Sequence, residues 1–120
     1  MQDNRMVQDG AQRPRITWDD ARLTDIALRW KVTRLELFGS VLRDDFRPDS
    51  DVDVLVTFAP EARISLFDLV HLKDELVALF ERDVDVIERR SIEGSPNYIR
   101  RREILRDPVT VYDTRFNVSA

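Results

Sequence analysis

Two short apolar runs separated by a polar connector, between Val32 and Phe58, constrain this chain more than any other stretch. The first run, Val32 to Phe38, alternates Leu35 and Leu37 against Arg34 and Glu36, the period of two that marks a strand. It stops at Gly39-Ser40. Ten residues later Asp51-Val52-Asp53 opens a second, more apolar run that continues to Phe58 and is closed by Pro60. In a strand, Asp51 and Asp53 point to one face while Val52, Val54 and Val56 point to the other. The two aspartate Cα atoms are then ~7 Å apart, two strand rises. Side chains on that spacing can converge on divalent ions, which in two-metal sites lie roughly 4 Å apart. Folding alone does not explain paired carboxylates at the head of so apolar a strand.

The connector begins with residues suited to an anion. Gly39 has no Cβ, so a bulky anion can approach its backbone closely. Ser40-Val41-Leu42-Arg43 reads as a short helical piece whose first amide groups are free to bind anionic oxygens. Arg43, three residues after Ser40, falls on the same helical face and can add positive charge there. A Gly-Ser pair by itself specifies little; joined to Asp-x-Asp on the next strand it is a strong signal.

Gly-Ser, ten residues, Asp-x-Asp resembles the signature of the nucleotidyltransferase superfamily related to DNA polymerase beta. The short chain is similar to its minimal nucleotidyltransferase branch, over roughly Ile26 to Tyr112. The resemblance implies an α/β fold, a small mixed sheet flanked by helices. It implies catalytic and metal-ligating roles for Asp51 and Asp53, and a third acid in a Val-Asp-aliphatic context on a later strand, which Asp85 matches. Gly39, Ser40 and Arg43 would be nucleotide-binding, with ATP as substrate and two Mg²⁺ ions as cofactors. Members of this branch commonly act as antitoxins beside a HEPN-domain toxin, so a helical toxin is the implied partner. The implied reaction is transfer of AMP to one of its hydroxyls, a tyrosine foremost. One departure is visible: many relatives carry a small residue after the motif arginine, where this chain has Asp44-Asp45.

Composition narrows the alternatives. A chain of 120 residues with 42% apolar content builds one modest core. It leaves no room for the helical acceptor domain that small-molecule nucleotidyltransferases normally use. Net charge is −4 with 35% charged residues, which argues against general nucleic-acid binding. There is no cysteine, hence no disulfide, thiolate metal site or cysteine nucleophile. No apolar run approaches ~20 residues, so no membrane helix is expected. The first residues lack the apolar region of a signal peptide, and a cytoplasmic protein is the expectation.

The remaining pattern fits a nucleotidyltransferase-like domain over residues 16–113, with a loose arm over 1–15 and a tail over 114–120. Thr17, with Asp20 three residues on, is the expected cap of a helix running to about Lys31, with Leu23, Ile26, Ala27 and Trp30 on its inner stripe. A long helix is expected from Leu66 to Phe80, carrying the only histidine, His71, as a solvated or partly packed residue. Asp83 to Ile87 reads as a third strand; Asp83 reads as an acid facing water, the alternative also open for Asp85. Ser95-Pro96 starts a helix in which Arg100-Arg101-Arg102 reads as a solvated face or partner contact rather than an RNA patch. Val109 to Tyr112 reads as a last extended segment. Beside the enzyme stands a non-catalytic antitoxin that neutralises its toxin by binding alone; the retained acids argue against that alternative.

Overall fold

The computed structural model describes residues 14–115, so the expected arm and tail lie almost wholly outside the described residues. The elements in order are α1 (Asp20–Arg29), β1 (Val32–Phe38), a 3₁₀ turn (Gly39–Leu42), β2 (Val52–Phe58), α2 (Leu66–Phe80), β3 (Val84–Glu88), α3 (Arg89–Glu93), α4 (Tyr98–Leu105) and β4 (Val109–Asp113). They form the expected small mixed sheet, four strands in the order β3-β2-β1-β4. β1 runs antiparallel to β2 and to β4, whereas β2 and β3 are parallel. A parallel pair needs a long crossover, and α2 supplies it.

Helices cover both faces. Leu35, Leu37, Val52, Val54 and Val56 pack with Leu23 and Ile26 of α1 and with Leu72, Leu76 and Phe80 of α2. The opposite face of β2 presents Leu55, which packs with Ile92 of α3 and Ile104 of α4. Caps differ from expectation at two helices. Asp19, not Thr17, caps α1, its carboxylate accepting from the amides of Ala21 and Arg22. An aspartate next to the first turn also suits the positive end of the helix, which gives it the advantage over a threonine further back. α4 begins after Asn97, whose side chain accepts from the Arg100 amide, and Ser95 instead accepts from the Asn97 amide. α2 carries a full capping box between Ser65 and Asp68.

The largest difference concerns the polar face of β1. Glu36 belongs to the charged side of the alternation, yet only 2% of it is exposed. α3, too short to show a period in the sequence, starts directly after β3 and sends Arg89 across β2. Arg89 Nη1 donates to both Glu36 carboxylate oxygens, at 2.7 and 2.9 Å. Arg34 adds a second cation at 3.5 Å. A buried carboxylate left without its partner is strongly unfavourable. Arg89→Ala should therefore lower unfolding free energy by roughly 3 kcal/mol, the low end for breaking a buried pair, because Arg34 remains. Urea denaturation of the two proteins measures this; a loss under about 1 kcal/mol, the scale of a surface pair, would show that solvent reaches Glu36 readily.

Candidate active site

The Gly-Ser turn and the two acids meet because β1 ends where β2 begins. Phe38 is the register partner of Asp53, which brings the next residue, Gly39, against the aspartate side chain. Gly39 adopts φ +79°, a left-handed conformation, and a Cβ there would lie 2.3 Å from Asp53 Oδ2. Both the backbone and the space thus require glycine. The connector is held from below by Arg82. Its guanidinium stacks on Phe46 at 4.6 Å and donates to the carbonyls of Arg47 and Ser50, at 3.0 and 3.2 Å. Arg82 thereby fixes the chain just before Asp51.

β3 supplies the third acid. In the parallel β2–β3 ladder Asp53 is directly opposite Asp85, and neighbouring strands are ~4.8 Å apart. Asp51, immediately before β2, and Asp85 are exposed, whereas Asp53 is half-buried. Burial pushes the Asp53 carboxyl up to about 6, and the negative charges of Asp85 and Asp51 add to the rise. Arg43 and Arg100 oppose it.

The sequence candidates therefore come together with one adjustment. Gly39, Asp51, Asp53 and Asp85 share a corner of the sheet. Ser40 is half-buried in the turn, and its hydroxyl makes no hydrogen bond among the described residues. Arg43 does not share a helical face with Ser40, because the turn closes at Leu42 and Arg43 is extended, with φ −117° and ψ 163°. Its amide donates to the Ser40 carbonyl and its side chain pairs with Asp45 at 3.2 Å. Asp44 pairs with Arg15. The unusual Asp44-Asp45 is thus occupied by arginines of the same surface. Arg100 was legible in the sequence only as one of three consecutive arginines. It is exposed on α4, one helical turn before the buried Ile104.

Hard oxygen donors clustered around a half-buried carboxylate suit a hard divalent cation. Among the described residues no three acidic or histidine side chains already close into a metal cage. A Mg²⁺ ion, which keeps waters, needs only one or two carboxylates together with substrate phosphates. A cavity of about 560 Å³ adjoins the turn, lined by Phe38, Gly39, Leu42, Arg43 and Ile104 among others. A larger one, about 660 Å³, lies at the other end of the strands, by Arg34, Thr57 and Arg89, away from the acids.

A half-open sheet corner with a glycine turn against Asp53, and Asp51 and Asp85 nearby, is an arrangement suited to chemistry on phosphates. The model of the nucleotidyltransferase domain matches residues 22–107, and the chain belongs to that family. Among its relatives, a Methanocaldococcus jannaschii protein provisionally named a protein adenylyltransferase is 41% identical over 71 residues, 59% of this chain and 74% of that protein. The protein adenylyltransferase MntA of Thermococcus cleftensis is 34% identical over 74 residues, 62% of this chain and 73% of its own. A solved structure provisionally described as a minimal nucleotidyltransferase superposes with TM-score 0.57 at 31% identity, covering 75% of this chain and 86% of that one. The fold also matches an antitoxin complex, described as MNT antitoxin with a tri-AMPylated Shewanella oneidensis HEPN toxin, at TM-score 0.54 and 17% identity, covering 83% and 74% of the two chains.

The raised Asp53 carboxyl has a consequence for stability. A folded-state value of about 6 against 3.8 means that the native state favours the proton. The stabilisation this gives is complete below about pH 4 and is lost as pH rises through about 6. Asp53→Asn, which never ionises, should therefore melt higher than wild type in metal-free buffer at about pH 8. With the shift discounted for partial exposure, the expected gain is about 4 °C, the response of such a domain to ~1 kcal/mol. The gap should narrow as pH falls towards 4. Equal melting temperatures across that range would show that neither burial nor the neighbouring carboxylates raise the proton affinity of Asp53.

Proposed function

We propose that this chain is a Mg²⁺-dependent protein adenylyltransferase that moves AMP from ATP to a hydroxyl, foremost a tyrosine, of a cognate helical HEPN-domain toxin, and so acts as its antitoxin in the cytoplasm. The observation that carries this reading is the convergence of Asp51, Asp53 and Asp85 beside the Gly39 turn. Its support from outside the geometry is the naming of sequence relatives as protein adenylyltransferases.

In this reading Asp51 and Asp53 would hold the ion that accompanies the triphosphate, and together with Asp85 they would hold the second. Bound Mg²⁺ neutralises phosphate charge and lowers the pKa of a hydroxyl beside it. The chain itself positions the reactants. The bare backbone of Gly39 admits the phosphates, with Ser40 and Arg43 next to them. The acceptor oxygen forms a bond to the α-phosphorus in line with the bond to the β-phosphate oxygen, which breaks and releases pyrophosphate. Asp85, exposed beside Asp53, orients the hydroxyl and accepts its proton. Little covalent work falls to the protein, since positioning and charge dominate such transfers.

Intact-mass spectrometry of the partner toxin, after incubation with this chain, ATP and Mg²⁺, should show added adenylate together with loss of toxicity. An unmodified toxin in an inhibited complex would replace the enzyme reading by neutralisation through binding alone. The acids should also divide their work. Asp85→Asn should bind Mg·ATP nearly as wild type yet transfer adenylate at least ~100-fold more slowly in single turnover, the scale of a lost acid–base group. Wild-type transfer by that variant would leave Asp85 an ordinary strand acid.

A further inference from the structure

We infer that Arg82 is a positioning residue of this site: it fixes Asp51 relative to Asp85 and thereby sets the cation affinity of the three acids. The inference rests on the reading of those acids as cation ligands, and it concerns a residue outside the Gly-Ser and Asp-x-Asp pattern. Its basis is the way Asp51 is held. Asp51 precedes β2, which begins at Val52, and it has no register partner on either neighbouring strand. Its two chain neighbours are instead tied to two consecutive residues between α2 and β3. The Ser50 carbonyl accepts from Arg82 Nη1 at 3.2 Å, and the Val52 amide donates to the Asp83 carbonyl at 2.9 Å. Asp85 follows two residues later, on β3. One short segment therefore carries the third acid and the bonds on either side of the first.

The rest of the connector cannot substitute for Arg82. Among the described residues, the other hydrogen bonds of residues 46–50 run to one another or to Arg43. Phe46 donates to the Arg43 carbonyl at 3.3 Å, Ser50 to the Arg47 carbonyl at 3.0 Å and Arg47 to the Ser50 hydroxyl at 2.9 Å. Such turns shape the stretch without tying it to the sheet. Phe46 is the second anchor, half-buried against the core, and the Arg82 guanidinium rests on its ring. Arg82 makes no ion pair with a carboxylate among the described residues, although Asp49, Asp51 and Asp83 stand close to it or to its partners in the chain. Its donors go to main-chain carbonyls, so what it fixes is the path of the backbone. Groups that hold metal ligands in place count for roughly 10–100-fold in metal affinity when they are removed.

Two measurements on the full chain test this. One is Mn²⁺ binding by electron paramagnetic resonance, with Mn²⁺ standing in for Mg²⁺ at oxygen ligands. The other is hydrogen exchange of the metal-free protein. Arg82→Ala should weaken Mn²⁺ binding at least ~10-fold and speed exchange of the Phe46 and Ser50 amides, with α1 unchanged. Arg82 is itself a cation, so its removal acts through charge only to strengthen cation binding; weaker binding reports the placement of Asp51. Arg82→Lys keeps a donor for one carbonyl without the planar fork and should recover part of the affinity. Phe46→Leu removes the ring but keeps an apolar anchor, and should lose affinity by a smaller factor. Arg29→Ala, which removes exposed pairs with Asp25 and Glu75, should bind as wild type. Circular dichroism verifies the fold of each variant, and Arg82→Lys and Phe46→Leu decide the matter if Arg82→Ala does not fold. Wild-type Mn²⁺ affinity in the folded Arg82 and Phe46 variants, with or without faster exchange, would make the clamp a matter of stability alone and overturn the inference. An equal loss in Arg29→Ala would overturn it too. The two readings fail separately. Wild type that binds Mn²⁺ in an Arg82-dependent way but adenylates no toxin loses the proposed function alone. Wild type that adenylates while binding no Mn²⁺, or while the variants bind it unchanged, loses the role of Arg82 alone.

Discussion

The in-register pairing of β2 with β3 is the constraint on which the site depends. Along this ladder Val52 faces Val84, Asp53 faces Asp85 and Val54 faces Val86. Like charges directly opposite on a sheet are unfavourable, so the acids do not choose this register. The valines do. A slip of one residue would turn Val52, Val54 and Val84 from the core under α2 out to the other face. Burial of the apolar set, at about 25 cal/mol per Å², thus holds together two carboxylates that would separate if left to themselves. Beside burial, the larger cause, that repulsion remains in the structure as part of the raised proton affinity of Asp53. It is available to any cation that relieves it.

A second helical layer covers the other face of the sheet. α3 and α4 close the sheet face opposite α1 and α2, and they do so around few apolar residues: Leu55, Ile92 and Ile104, with Phe38, Ile87 and Leu105 partly buried. The rest of that interface is ionic. Glu36, Arg34, Arg89 and Asp113 form a charged cluster beneath it, with Asp113 held below the usual carboxylate range chiefly by hydrogen bonds from Arg115. Paired charges of this kind add little net stability against an apolar core, yet they tolerate only one arrangement of partners. They fix where α3 begins, and α3 leads into α4, which carries Arg100.

Much of the fold was legible because its signals are local. β1, β2 and α2 follow from apolar spacing, and α2 was placed at the bounds observed, Leu66 to Phe80. The site acids stood out for the opposite reason, being residues a core strand does not need, and Gly39 as the residue its turn requires. What stayed hidden depends on contacts between distant segments. Glu36 reads as solvent-facing because nothing local reveals that Arg89 will cover it. α3 has five residues and one buried side chain, too few for a period. Thr17 and Ser95 are good caps by residue type, but Asp19 and Asn97 stand nearer the first turns that form. Arg43 was misplaced because the turn is 3₁₀ and ends a residue early.

β3 is the outermost strand of the sheet, and Asp85 is exposed on it. A carboxylate in that position is bounded on one side only and has no wall against which a small molecule could be wedged. In the proposed reaction an open acid does not by itself distinguish a protein hydroxyl from water. Discrimination then depends on residence: a nucleophile held for long by contacts elsewhere reacts, and one that diffuses past does not. Selectivity in such an enzyme is a property of two surfaces rather than of a pocket, and it can drift with the partner while the carboxylates stay as they are.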